Sequence, residues 1–140
     1  MNFVGAIIAG LAGTAAMTML MYAAPMMGMP KMDIIGMQGS MFIANKATAL
    51  AIGTMTHFMM GVVFALVYAL VWSFGIGSPT WLWGLSFGAV HTVVAMVGMP
   101  MMVGIHPRPP EMKAGPMMMA GMLMGHLVYG LVVALVYGAL

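Results

Sequence analysis

Four apolar stretches, at roughly 3–24, 48–74, 80–103 and 116–139, dominate the chain, and each is long enough to cross about 30 Å of hydrocarbon. Little lies between them beyond two loops and one short turn, "FGIGSPT". Charge is confined to the loops. Lys31, Asp33, Lys46, Arg108, Glu111 and Lys113 are the six charged side chains, 4% of the 140 residues, where a soluble domain carries about a quarter. So little charge cannot cover a water-facing surface. The expected fold class is therefore an all-α integral membrane protein, with four antiparallel transmembrane helices in one domain spanning 1–140 and the lipid bilayer as its solvent. The first stretch has no basic leader segment, and "AGLAGTAAMTMLMYAAP" continues into a full-length span, so it is expected to stay in the membrane.

Several function classes drop out. The net charge of +2 is too small for a nucleic-acid footprint. With no Cys there is no disulfide framework and no thiolate metal site. No Gly-rich phosphate loop, no H-E-x-x-H and no paired carboxylates within a span are present, and Asp33 and Glu111 are the only acids. The expectation is a non-enzymatic protein with no room for a soluble catalytic domain.

An internal duplication organises the chain. "HFMMGVVFALVY" (57–68) and "HLVYGLVVALVY" (126–137) share 7 of 12 residues. "GLAGTAAMT" (10–18) resembles "GLSFGAVHT" (84–92), and "PMMGMP" (25–30) resembles "PMMVGIHP" (100–107). Each copy reads helix, Pro-Met-Met loop, helix. The two repeated hairpins would cover about 3–74 and 80–139, related by an axis along the membrane normal.

At about 100° per residue, His57, Gly61, Ala65 and Tyr68 share one helical face, as do His126, Gly130, Ala134 and Tyr137. Gly84, Gly88, His91 and Ala95 form a similar stripe, and so do Gly5, Ala9, Ala12, Gly13 and Ala16. Small residues so spaced let membrane helices approach closely. His57, His91 and His126, with Met17 in the position that the duplication pairs with His91, fall at one depth, on the order of 12–15 Å from the same membrane face. A polar group there should face the bundle interior and find a partner. In the structural reading each imidazole bonds Thr18, Thr56, Thr92 or a backbone carbonyl. In the functional reading the same four residues hold a metal or a haem, or relay protons.

Met occurs 23 times and is polarised. Met17, Met19, Met21, Met26, Met27, Met29, Met32, Met37 and Met41 surround the first loop. Met96, Met99, Met101, Met102, Met112, Met117, Met118, Met119, Met122 and Met124 surround the loop between the third and fourth spans. Alternating spans put both loops on one side, and Trp72, Trp81 and Trp83 on the other, where an interfacial aromatic belt would sit. All four Lys and Arg residues share the Met-rich loops. The positive-inside rule then predicts an inner-membrane protein with these loops cytoplasmic and both termini outside. Thioether and imidazole together suit Cu(I), although Met is also an adaptable apolar filler.

The first loop is too apolar to be solvated and is expected to lie along the interface as an amphipathic or re-entrant segment, with Asp33 as a surface charge beside Lys31. His106, in "GIHPRPPEMKAGP", is expected to be exposed, and Glu111 and Lys113 to form a solvated pair.

In general architecture the chain resembles the small four-helix proteins of bacterial inner membranes, some of which are accessory subunits of larger complexes. That resemblance implies no residue role. Three readings follow: an accessory subunit of a bioenergetic membrane complex with other membrane subunits as partners, a Cu(I)-handling protein, or a small b-type cytochrome in which two of His57, His91 and His126 bind haem b.

Overall fold

The computed structural model describes residues 1–110 and 115–140, so Glu111, Met112 and Lys113 lie outside the described residues. Those residues form five α-helices and no strand: α1 (Phe3–Ala23), α2 (Ile34–Ser40), α3 (Lys46–Ser73), α4 (Trp81–Gly104) and α5 (Pro116–Ala139), with a 3₁₀ turn over Ala24–Met27. Four are long and apolar enough to cross a bilayer, which makes the chain a multi-pass membrane protein.

Local chemistry sets the helix ends. The Asn2 side chain accepts a hydrogen bond from the Gly5 amide at 2.9 Å, and Asn45 does the same for Thr48 at 3.0 Å, each satisfying an amide that the helix leaves unpaired. Pro116, whose missing N–H is not needed in a first turn, opens α5. Gly75 and Gly77, with φ of 82° and 78°, carry the left-handed turn that joins α3 to α4.

Glycine decides how closely the helices meet. Between α1 and α3, Gly10 lies against Gly61, Val62 and Ala65, and the Thr14 hydroxyl, bonded to the Gly10 carbonyl at 2.7 Å, sits over Gly61. Between α4 and α5, Gly84 and Gly88 face Gly130, Ala134 and the His126 carbonyl. Between α1 and α5, Gly13 meets Tyr129 and Val133, and the Asn2 amide donates to the Tyr137 hydroxyl at 3.0 Å. Three interfaces are thus backbone-close.

The α3–α4 interface is different. It is filled by rings: Trp72 stacks on Phe87 with centroids 5.5 Å apart, Tyr68 meets Phe87 edge-on at 5.1 Å, and Phe64 lies 3.8 Å from the His91 ring. Trp72 therefore belongs to the core. It is buried, and only Trp81 and Trp83 are exposed as belt residues would be. The aromatic wedge holds α3 and α4 apart, and that separation makes the site.

The first loop folds back onto the bundle: α2 is packed on α3, with Gly39 against Ala49 and Gly53, and Ile35, Met37, Gln38 and Gly39 buried. Asp33 acts as the α2 N-cap, accepting from the Gly36 amide at 2.9 Å. His106 is buried, not exposed. Its Nε2 lies 3.0 Å from the Met37 carbonyl and 3.3 Å from the Ser40 hydroxyl, while its Nδ1 accepts from the Arg108 amide at 2.9 Å. The Arg108 guanidinium donates to the Ser40 carbonyl at 2.6 and 3.2 Å. The end of α2 has carbonyls without helical donors, and this pair of side chains supplies them. A sequence scan that sees Pro-rich polarity as solvation misses such a clasp.

Candidate functional site

A cavity of about 270 Å³ occupies the Met-rich half of the bundle, on the side where α3 and α4 are wedged apart. Its wall includes Met17, Met21, Met32, Met37, Met60, Met99, Met102, Met122 and Met124, together with Gln38, Phe64, Gly98 and Tyr129. His57, His91 and His126 line it as well. The four positions singled out in the sequence, Met17 and these three histidines, therefore share one cavity.

The polar groups are arranged unevenly. The His126 Nδ1 bonds the Met122 carbonyl, one turn earlier in α5, at 2.7 Å. The His91 Nδ1 lies 3.3 Å from the Tyr68 hydroxyl. The two rings stand edge to face with centroids 4.6 Å apart. Both thus have Nδ1 engaged, which leaves Nε2 as the nitrogen able to take a ligand. The Tyr129 hydroxyl donates to the Gly61 carbonyl at 2.5 Å, so the phenol of α5 is tied to α3.

His57 differs from the other two. It is 7% exposed, and its Nε2 is buried without a hydrogen-bond partner. Gln38 Oε1 is in the same condition, in a residue 5% exposed. The threonines do not serve the histidines. Thr56 and Thr92 bond carbonyls of their own helices at 2.8 and 2.9 Å, and Thr18 Oγ1 is itself unpartnered.

Geometry limits what a metal could do here. With metal–nitrogen bonds of about 2 Å, imidazoles on opposite sides of a haem iron place their centroids about 6 Å apart, and a porphyrin must pass between them. The 4.6 Å between His91 and His126 is shorter than that spacing. Neighbouring ligands on a tetrahedral ion would stand about 5 Å apart, which they approach. Among the described residues no group of three or more His, Cys, Asp and Glu side chains could hold a metal ion; the soft donors that share the cavity wall with the imidazoles are thioethers.

Sequence reasoning missed Gln38, Phe64 and Gly98. Gln38 left one signal, being the only glutamine in the chain. Phe64 and Gly98 left none, because their role depends on which helix interface stays open.

No curated protein and no solved structure matches the chain. One family model covers residues 1–140 in full, and the chain belongs to that family, a family of unknown function designated DUF6789.

Proposed function

We propose that this multi-pass membrane protein binds a small lipophilic molecule within its helical bundle. The cavity between α3 and α4 carries the reading. Binding sites for small molecules are concave, mostly apolar and furnished with a few convergent polar groups, and this cavity has that makeup. Met60 and Val94, both lining it, are 44% and 51% exposed, so it opens sideways on the surface that lipid would cover. A ligand dissolved in the bilayer could enter there without crossing water. Native mass spectrometry from mild detergent should show a stoichiometric small-molecule adduct. Gly98→Trp should remove it by obstructing the mouth, since Gly98 lines the cavity at its exposed rim and an added Cβ there meets nothing within 4 Å. An adduct equally abundant in that variant, or none in the parent, would end the proposal.

A second reading rests on the His91–His126 pair: two imidazoles at neighbouring-ligand spacing, with Met17 on the same wall, form a donor set for Cu(I). The topology is part of the proposal: two antiparallel repeated hairpins in the inner membrane, Met-rich loops cytoplasmic and both termini outside. What supports the repeat is that Gly10 meets Gly61 and Ala65 as Gly84 meets Gly130 and Ala134. What supports the antiparallel order is that Asn2, Gly13 and Met17 on α1 meet Tyr137, Val133 and Gly125 on α5 in descending sequence. Association with other membrane subunits rests on composition, and the exposed apolar faces of the spans suit lipid and a neighbouring helix alike.

A further inference from the structure

Burying a polar atom without a partner is unfavourable, and in folded proteins such atoms are few. Two of them, His57 Nε2 and Gln38 Oε1, belong to residues that line the same cavity. They also lie at one end of it. The Gln38 amide nitrogen is 3.7 Å from the Met60 sulfur, a weak acceptor, and Met60 follows His57 by one helical turn. An amide oxygen that only accepts and an imidazole nitrogen that can donate or accept are therefore left open on the α2 and α3 walls of one cavity. A ligand hydroxyl suits each, since it can donate to the amide oxygen and exchange a hydrogen bond with the imidazole.

The remainder of the wall specifies what carries that hydroxyl. Phe64 and His91 present rings 3.8 Å apart at the α3–α4 wedge. Around them stand Met17, Met60, Met99 and Met102, whose polarizable sulfurs make favourable contacts at the edges of aromatic rings and whose unbranched chains adapt to a flat body. An aliphatic alcohol would use the polar end but gain nothing specific from this wall. The sideways mouth at Met60, Val94 and Gly98 leaves a path for an alkyl or isoprenoid tail into lipid.

We infer that the ligand is a lipophilic ring compound of the phenol or quinol class, its ring among the methionines and its hydroxyl between His57 and Gln38. This rests on the ligand-binding reading above and names the class of molecule. It assigns Gln38, on a helix held in place by His106 and Arg108, as a specificity-determining residue.

The test uses the full-length protein in phosphatidylcholine nanodiscs with three probes: decylubiquinol, decylbenzene, which has the ring without the oxygen, and n-decanol, which has the hydroxyl without the ring. Thermal unfolding at a series of probe concentrations gives each affinity. Decylubiquinol should bind at least tenfold more tightly than either control. Gln38→Leu and His57→Leu should each weaken it tenfold or more, with no loss of thermal stability in the probe-free state, because each removes an unpartnered buried atom. Equal binding of decanol or decylbenzene would overturn the class while leaving a ligand pocket. Tight decylubiquinol binding unchanged by both substitutions would leave the two polar atoms to a bridging water and overturn the site. Failure of all three probes would overturn the inference, and the native adduct with its Gly98→Trp control then decides separately whether the ligand reading falls too.

Discussion

Gly130→Ala, compared with Gly98→Ala, tests the account of how the bundle closes. A Cβ on Gly130 would collide with the Gly84 carbonyl oxygen and stand 2.9 and 3.0 Å from the amide nitrogen and Cα of Gly88. All three are backbone atoms of α4, so relief requires the helices to separate. Overpacking of this kind costs about 1–3 kcal/mol. The helix preference of Ala over Gly returns about 1 kcal/mol, which leaves Gly130→Ala destabilised by roughly 0–2 kcal/mol. At Gly98 the added methyl meets nothing within 4 Å, so only the favourable term remains. The two variants should then differ by about 1–3 kcal/mol, a ratio of unfolding constants of roughly 5- to 150-fold. Reversible unfolding in mixed micelles of increasing SDS fraction, followed by near-ultraviolet circular dichroism, measures that difference. Identical midpoints, or a more stable Gly130→Ala, would show that α4 and α5 do not rest on glycine contact.

Four further outcomes are expected. Tyr129→Phe removes the buried hydrogen bond to the Gly61 carbonyl and should lower stability by about 1–3 kcal/mol in the same titration; a neutral result would mean that α3 and α5 are not joined there. Arg108→Ala should speed amide hydrogen exchange across residues 34–40, since Ser40 loses both guanidinium bonds, whereas unchanged protection would show that packing against α3 alone holds α2. In anaerobic Cu(I) titrations the paired-imidazole reading predicts one bound ion, lost in His91→Leu and in His126→Leu but kept in His57→Leu; equal loss in all three would refute the pair. Cysteines placed at Met29 and Pro109 should react with an impermeant maleimide from one side of the membrane and a cysteine at Gly77 from the other, and reaction of the first two from opposite sides would dissolve the hairpin repeat.

The four long helices could be read from the sequence because lipid leaves few alternatives. A run of apolar residues long enough to cross must satisfy its backbone internally, and the expected spans fall within a few residues of α1, α3, α4 and α5. The faces carrying His57, Gly61, Ala65 and Tyr68 were legible for a similar reason, and all four residues are buried. What could not be read was the inequality between interfaces. At the offset of the duplication, Gly13 corresponds to Phe87 and Val133 to Phe64. One site lets α1 and α5 touch, and its counterpart holds α4 off α3. Periodicity treats these residues alike, whereas their volumes determine where space is left. His57, His91 and His126 line one cavity; the backbone carbonyl that His126 bonds is of the kind the sequence leads one to expect, whereas the particular side chains around the cavity are not legible in it. Tyr68 lies 23 residues from His91, and Gln38 sits on a seven-residue helix too short to show an apolar period. The burial of Trp72 and of His106 is not legible from residue type and location, because stacking on Phe87 and bonding to Met37 depend on contacts far along the chain.

The partnership of α1 with α5 also bears on how the molecule is made. Asn2 is joined to Tyr137 and Gly13 to Val133, so the first helix meets one of its two main neighbours only when the last is synthesised. At about 5–20 residues per second, the glycine face of α1 waits several seconds or more beside α3 with its α5-facing side bare. The clasp on α2 is delayed too, because Arg108 emerges 68 residues after Ser40. Nascent chains arrested before α5 should therefore have a half-assembled bundle, with Gly13 open to any other small-residue helix in the insertion machinery.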